Sequence, residues 1–255
     1  MTLIAVTRPV SPSLADCELT HLERAPLDVA RAVAQHGRYE TLLRSLGATV
    51  VQVAAAPAFP DAVFIEDTAI VLDEVAVMTR PGALARRGES GPVAALLAGY
   101  RAVVAMEAPA TLDGGDVVRV ERTLYVGRSS RTNDEGIEQL RRLVQQYEYR
   151  VVPVQFSGCL HLKSAVTTVA ERVLLMNPTC VAASAFADCE SMPTHAREPA
   201  GANALRIAST LVYASQFPRT RELLERRGLR VESLDYSELA KAEGAVTCCS
   251  LVFDA

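Results

Sequence analysis

No run of about 18 apolar residues occurs in this chain of 255 residues, so no membrane-spanning helix is expected. The opening segment "MTLIAVTRPV" is broken too early, by Arg8 and Pro9, to read as a secretory signal. Excess positive charge is lacking as well. The net charge is −4 and the pI about 5.7, which disfavours nucleic acid and anionic membrane as partners, since both call for basic patches. Cysteine is scarce, six residues in all, and no C-x-x-C or H-x-x-x-H pair is present, so no zinc site is signalled. Without a secretory signal the thiols read as reduced and the protein as cytoplasmic. No Ser/Gly linker or low-complexity tract divides the sequence, which reads as one domain over residues 1–255.

Hydrophobic residues make up 49% of the chain, enough for a sizeable core without disulfides. Their spacing repeats a pattern rather than letters. "LDVARAVAQHGRYETLLRSL" (Leu27–Leu46) has helical periodicity with Gly47 placed to cap it, and "TVVQV" reads as a strand. "FIEDTAIVL" and "VAVMTR" follow as two more strands. The same order returns in "GPVAALLAGY", "AVVAM", "DGGDVVRV" and "TLYVG". It returns again in "TNDEGIEQLRRLVQQY", where Thr132 and Glu135 have capping-box spacing, followed by "RVVPVQF", "KSAVTTVA" and "RVLLM". The helix expected near "CVAASAFADC" is weak, whereas Pro218 can open one over "PRTRELLERRG". Helix, strand, polar loop, strand, strand thus recurs about every 45 residues, the mark of a repeat architecture. The last unit is one strand short, and "LIAV" near the N-terminus could complete it and close a ring. A doubly wound parallel sheet needs a helix after every strand, and here strands come in pairs.

Each unit carries polar residues where its second strand begins: Glu66 and Asp67, Asp113 and Asp116, His161 and Lys163, Asn203, then Cys248. From Asp67 through Asp113, His161, Asn203 and Cys248 the gaps are 46, 48, 42 and 45 residues, so a ring would gather them at one end of its axis. A free cysteine taken singly is most often a core residue, and Asp116 in "DGGD" suits a turn. Together the set reads differently. A thiolate is a strong nucleophile and a histidine moves protons. Carboxylates facing the same point suit a cationic electrophile, and a guanidinium pairs with carboxylates in bidentate fashion. A bound cation would also lower the pKa of the thiol. These types point to attack of a cysteine on a guanidinium carbon.

Six ordered motifs, "FIEDTAIV", "TRPGALARRGE", "TLDGGDV", "VGRSSRTNDEG", "LHLKS" and "TCCS", resemble the dimethylarginine dimethylaminohydrolases, part of a guanidino-modifying superfamily with arginine deiminases and amidinotransferases. The resemblance spans nearly the whole chain and is weakest from Cys180 to Ala202. It implies a five-bladed α/β propeller with the active site on the central axis. Cys248 would be the nucleophile, His161 the general acid/base, and Asp113 with Asp67 would hold the guanidinium. Asp61 and Glu66 would shape the pocket and help fix the amino-acid end of the substrate or the loop over it. Arg86 and Arg131 would grip the α-carboxylate, Leu19 would sit on a flexible lid, and the backbone of Ala242 would meet the α-amino group. The implied substrate is a cationic guanidino amino acid. The implied reaction passes through a thiouronium on Cys248 to citrulline and methylamine or dimethylamine, with no metal or organic cofactor, in a monomer or homodimer. Arginine deiminase and amidinotransferase activities are the neighbouring alternatives, and a silent arginine-binding module the alternative from another class. "KAEG" replaces the usual Lys-Val/Ile-Asp-Gly before the cysteine, so Ala242 is smaller and Glu243 longer than expected. Cys248 is expected at the start of a strand, with adjacent Cys249 turned to the opposite face and into packing.

Overall fold

The computed structural model describes residues 2–255. Its strands are β1 (Leu3–Thr7), β2 (Thr49–Gln52), β3 (Ala69–Val71), β4 (Val75–Met78), β5 (Ala102–Ala105), β6 (Val117–Val120), β7 (Thr123–Arg128) and β8 (Arg150–Gln155). The second half adds β9 (Val166–Ala170), β10 (Val173–Met176), β11 (Glu190–Pro193), β12 (Ala204–Ile207), β13 (Thr210–Ala214), β14 (Arg230–Leu234) and β15 (Leu251–Asp254). They form five three-stranded sheets, each with the same internal logic. An inner strand pairs antiparallel with the middle strand, and the middle strand pairs parallel with the outer one. A parallel neighbour requires a crossover, which is why a helix or helical turn separates middle from outer strand in every unit. The exception to sequence order is the first sheet, β15–β1–β2, where the last strand supplies the inner position and closes the ring.

The crossovers are α1 (Val29–Ser45), α2 (Ser90–Leu97), α3 (Asp134–Val144) and, after the one-turn α4 (Leu162–Ala165), α5 (Pro218–Arg226); the one-turn α6 (Ser237–Ala240) follows β14. The fourth unit has only the short turn Ala183–Phe186, in keeping with its weak helical signal. Local chemistry sets the ends. The Asp28 carboxylate accepts from Arg31 N–H at the start of α1, and Pro218 occupies the first turn of α5. The capping-box reading of α3 is corrected by one residue: Asn133 is the cap, accepting from Gly136 N–H at 2.8 Å. Thr132 instead donates to Asp116. Middle strands β4 and β13 are buried throughout, as expected of strands covered on both faces.

The inner strands β3, β6, β9, β12 and β15 line a central cavity of about 250 Å³. Each is preceded by a tight turn rather than by more strand: Ile65–Thr68, Gly114–Asp116, Leu162–Ala165, Pro199–Ala202 and the turn at Val246–Cys249. The polar residues that recur in sequence sit on or beside these turns. Extended readings such as "FIEDTAIVL" and "AVTCCSLVF" were therefore too long. A strand sends alternate side chains to opposite faces, whereas a turn can aim neighbouring ones at the axis.

Candidate active site

On one end of the axis, Asp61, Asp67, Arg86, Asp113, Arg131, His161, Ala242 and Cys248 line a single small cavity, joined by Glu18, Phe64, Leu160 and Glu243. The "DGGD" turn explains how its centre is assembled. A side chain on Gly114 would lie 2.0 Å from the Glu66 carbonyl, and one on Gly115 would lie 2.7 Å from His161 Nδ1 and 2.8 Å from Asp67 Oδ1. Only glycine lets these turns close on one another. Gly115 N–H donates to Asp67 Oδ1 at 2.9 Å, and Gly82 N–H donates to Asp113 Oδ1 at 2.9 Å.

His161 caps α4 and is buried. Its Nε2 lies 3.0 Å from Asp113 Oδ2, and its Nδ1 lies 3.8 Å from Asp67 Oδ1. Burial would pull its pKa down. The Asp67 charge, the hydrogen bond to Asp113 and the Asp116 charge outweigh burial and hold it up at about 10. The imidazole is therefore a cation at neutral pH. Asp67, Asp113 and His161 present ligand atoms within 4.8 Å of one another, and Asp67 Oδ2 is already engaged by Arg86.

Asp116 serves a backbone N–H as expected of it, though one from another unit. Its Oδ1 accepts from Leu162 N–H at 2.9 Å, and its Oδ2 accepts from Ser129 and Thr132 hydroxyls at 2.6 and 2.7 Å. It thereby fixes the residue next to His161. Burial pushes its pKa up to about 6 against those donors and the His161 charge.

Cys248 lies in the turn before β15, not on the strand, so strand alternation is not why it and Cys249 diverge. Its Sγ accepts from Ala245 N–H at 3.3 Å. Burial, then the charges of Glu66 and Asp67, push its pKa well above the ordinary thiol value. Cys249 is fully buried and its sulfur accepts from the Tyr236 hydroxyl at 2.7 Å, in a core with Tyr39 and Leu239.

Arg86 is buried and almost spent. Its Nη1 donates to Asp67 Oδ2 at 2.5 Å, Nε and Nη2 donate to the two Glu89 oxygens at 3.1 and 2.9 Å, and Nη2 also donates to Phe64 O at 2.8 Å. It anchors the acidic wall and leaves little of itself for a ligand carboxylate. Arg131 is held more loosely, by Glu18 at 3.3 Å and by the Thr20 hydroxyl at 3.1 Å.

Two expected residues lie elsewhere. The Glu66 side chain does not face this cavity. It turns to the floor of the central cavity, where Oε1 accepts from Lys163 Nζ at 2.6 Å and Oε2 from Thr247 Oγ1 at 2.8 Å. Asn203 braces these residues from behind, exchanging hydrogen bonds with Thr247 and donating to Lys163 O. A buried carboxylate beside a lysine two units further along the chain is better served there than against Asp67. The Leu19 side chain packs on the Tyr39 and Tyr236 core, leaving its backbone to the loop. Sequence reading missed Glu18 altogether. No period marks it, because it lies outside the repeating turns.

A family model for N,N dimethylarginine dimethylhydrolase, eukaryotic, matches residues 23–185. The N(G),N(G)-dimethylarginine dimethylaminohydrolase of Streptomyces coelicolor is 38% identical over 97% of this chain and 95% of its own length. The chain belongs to the dimethylarginine dimethylaminohydrolase family. The family's protein from Pseudomonas aeruginosa is 32% identical over 97% of this chain and 98% of its own. A solved structure of the Pseudomonas aeruginosa family member, a cysteine-to-serine mutant complexed with citrulline, superposes with a TM-score of 0.94 at 30% identity, covering 99% of this chain and 100% of that one. The N-terminal domain of a cyanobacterial arginine dihydrolase has a TM-score of 0.88 at 19% identity, with 99% and 97% covered, and shares the fold.

Proposed function

We propose that this protein hydrolyses Nω-methylated arginine to citrulline and methylamine or dimethylamine. Family membership supports the reaction type. The observation that carries the reading is the company kept by Cys248: two buried carboxylates, Asp67 and Asp113, and a protonated His161 around one thiol. Burial and the charges of Glu66 and Asp67 hold the thiol protonated, and the acidic wall favours a cation beside it.

A guanidinium placed against the acidic wall reverses the sign of the field at Cys248 and releases the thiol proton to solvent. The thiolate attacks the guanidinium carbon. His161 gives its proton to the methylated nitrogen, the C–N bond breaks, and the amine departs, leaving a cationic thiouronium on Cys248 and a neutral imidazole. His161 then takes a proton from water as the oxygen adds to the same carbon. The C–S bond breaks, the added hydroxyl's proton goes to sulfur, and citrulline leaves. In this reading Asp113 orients His161 and, with Asp67, receives the guanidinium. Arg131 takes the α-carboxylate in place of Glu18, and the Ala242 backbone faces the α-amino group.

Incubation with arginine, monomethylarginine and the asymmetric and symmetric dimethylarginines, with citrulline measured, tests the reading. Citrulline and amine are expected from the monomethyl and asymmetric forms. Citrulline from arginine alone would make the protein an arginine deiminase instead.

A further inference from the structure

Among the described residues, the segment Glu18–Leu27 makes no backbone–backbone hydrogen bond. Side chains hold it over the cavity: Arg131 donates to Glu18 and to the Thr20 hydroxyl, Lys241 donates to Pro26 O, and two carboxylates take its backbone N–H groups. Glu18 N–H donates to Asp61 Oδ2 at 3.2 Å. The N–H groups of Thr20, His21 and Leu22 all converge on Glu243, at 3.0, 2.5 and 2.7 Å. Three successive donors on one carboxylate form a small anion nest with charge-assisted bonds.

A second observation concerns the backbone of Glu243. Gly244 N–H donates to Leu239 O and Glu243 N–H donates to Ala240 O, the paired bonds of a Schellman motif closing α6. Glu243 therefore holds the left-handed position, with φ of 58°, that usually belongs to glycine. A carboxylate stands where the backbone prefers no side chain at all, and it points at the loop.

Behind this loop the cavity measures about 20 Å³, room for little more than one water, against the several hundred cubic ångströms typical of a small-molecule site. An arginine side chain cannot reach Cys248 unless the segment lifts. Lifting it breaks the three bonds to Glu243, along with those to Asp61 and Arg131.

We propose that Glu243 is the latch of this lid: a positioning residue that sets how firmly residues 18–24 close over Cys248, and so tunes substrate affinity rather than the chemical step. The kinetic half of this inference rests on the proposed hydrolase reading. The structural half does not.

Glu243→Gly and Glu243→Asp test it, with hydrogen exchange read at the Thr20, His21 and Leu22 amides and steady-state kinetics on monomethylarginine. Glu243→Gly suits the left-handed backbone, so its thermal midpoint should be unchanged or higher. Exchange at the three amides should accelerate by about tenfold or more, KM should fall roughly three- to tenfold because less binding energy goes into opening the segment, and kcat should stay within about twofold. Glu243→Asp, too short to reach all three donors, should fall between. Unchanged exchange in Glu243→Gly would overturn the latch, as would loss of kcat at constant KM. Should the wild type release no citrulline from methylarginine, the hydrolase reading fails while the exchange result still decides the latch.

Discussion

His161 Nε2 lies 3.0 Å from Asp113 Oδ2, and both side chains are buried. With the Asp67 charge, this pair holds the imidazole in the protonated form that the leaving amine requires. Asp113→Asn keeps the shape and removes the charge. It should lower kcat by about 10²- to 10⁴-fold with the fold intact, and the imidazole pKa, followed by NMR, should fall below its wild-type value. A kcat within tenfold of wild type would show that Asp113 does not govern the proton.

The charges of Asp67 and Asp113 around His161 also make stability depend on pH. His161 titrates at about 10 in the folded chain against an ordinary value of 6.5, so a raised base is the case. Its stabilisation is fully present below pH 6.5 and is lost as pH rises through about 10. The raised Asp116 carboxyl acts in a separate window, between 3.8 and about 6. The difference in thermal midpoint between wild type and His161→Gln should therefore shrink steadily from pH 6.5 towards 10. A difference that stays constant over that range would mean the imidazole is not held protonated.

The adjacent thiols should separate cleanly. Cys248→Ser is expected to lower citrulline release by about 10³-fold or more, because an alcohol at that point is a far weaker nucleophile. Cys249→Ser keeps an acceptor for the Tyr236 hydroxyl and should retain activity within about threefold. Equal losses would reverse the assignment between the neighbours.

The ring was legible because every unit repeats one buried pattern, and helix spacing with paired strands survives divergence of the letters. The direction of the polar side chains was legible only in part. Periodicity places Asp67, Asp113, His161 and Cys248 on recurring turns, but a turn aims side chains by its dihedrals, which composition does not encode. Glu66 and Asp67 are adjacent in sequence, yet one faces the central cavity and the other the catalytic one. Glu243 was visible as a departure from the family pattern. Its partners, the amides of Thr20 to Leu22, lie more than two hundred residues away and carry no side-chain signature.

Gly115→Ala tests how tightly the turns close. The added methyl would meet His161 Nδ1 at 2.7 Å and Asp67 Oδ1 at 2.8 Å, both inside van der Waals contact. Overpacking of this kind costs roughly 1–3 kcal/mol and displaces the imidazole. The variant should fold, with a lowered thermal midpoint, and kcat should drop by about tenfold or more while KM changes less. Wild-type kcat would mean that His161 moves aside without consequence.

Glu66 and Lys163 distinguish a structural floor from a substrate contact. Lys163→Met leaves the Glu66 carboxylate buried without its cation. Breaking such a pair costs roughly 2–4 kcal/mol, at the low end because Lys163 keeps some contact with water. Burial already raises the Glu66 pKa, so protonation can relieve the variant at acid pH, and the loss in thermal midpoint should be smaller at pH 5 than at pH 8. Adding Glu66→Gln removes the stranded charge and preserves an acceptor for the Thr247 hydroxyl. The double variant should regain most of the lost midpoint and keep kcat/KM within a few-fold of wild type. If Glu66 instead fixed the amino-acid end of the substrate, the double variant would recover stability and still lose affinity, visible as a raised KM.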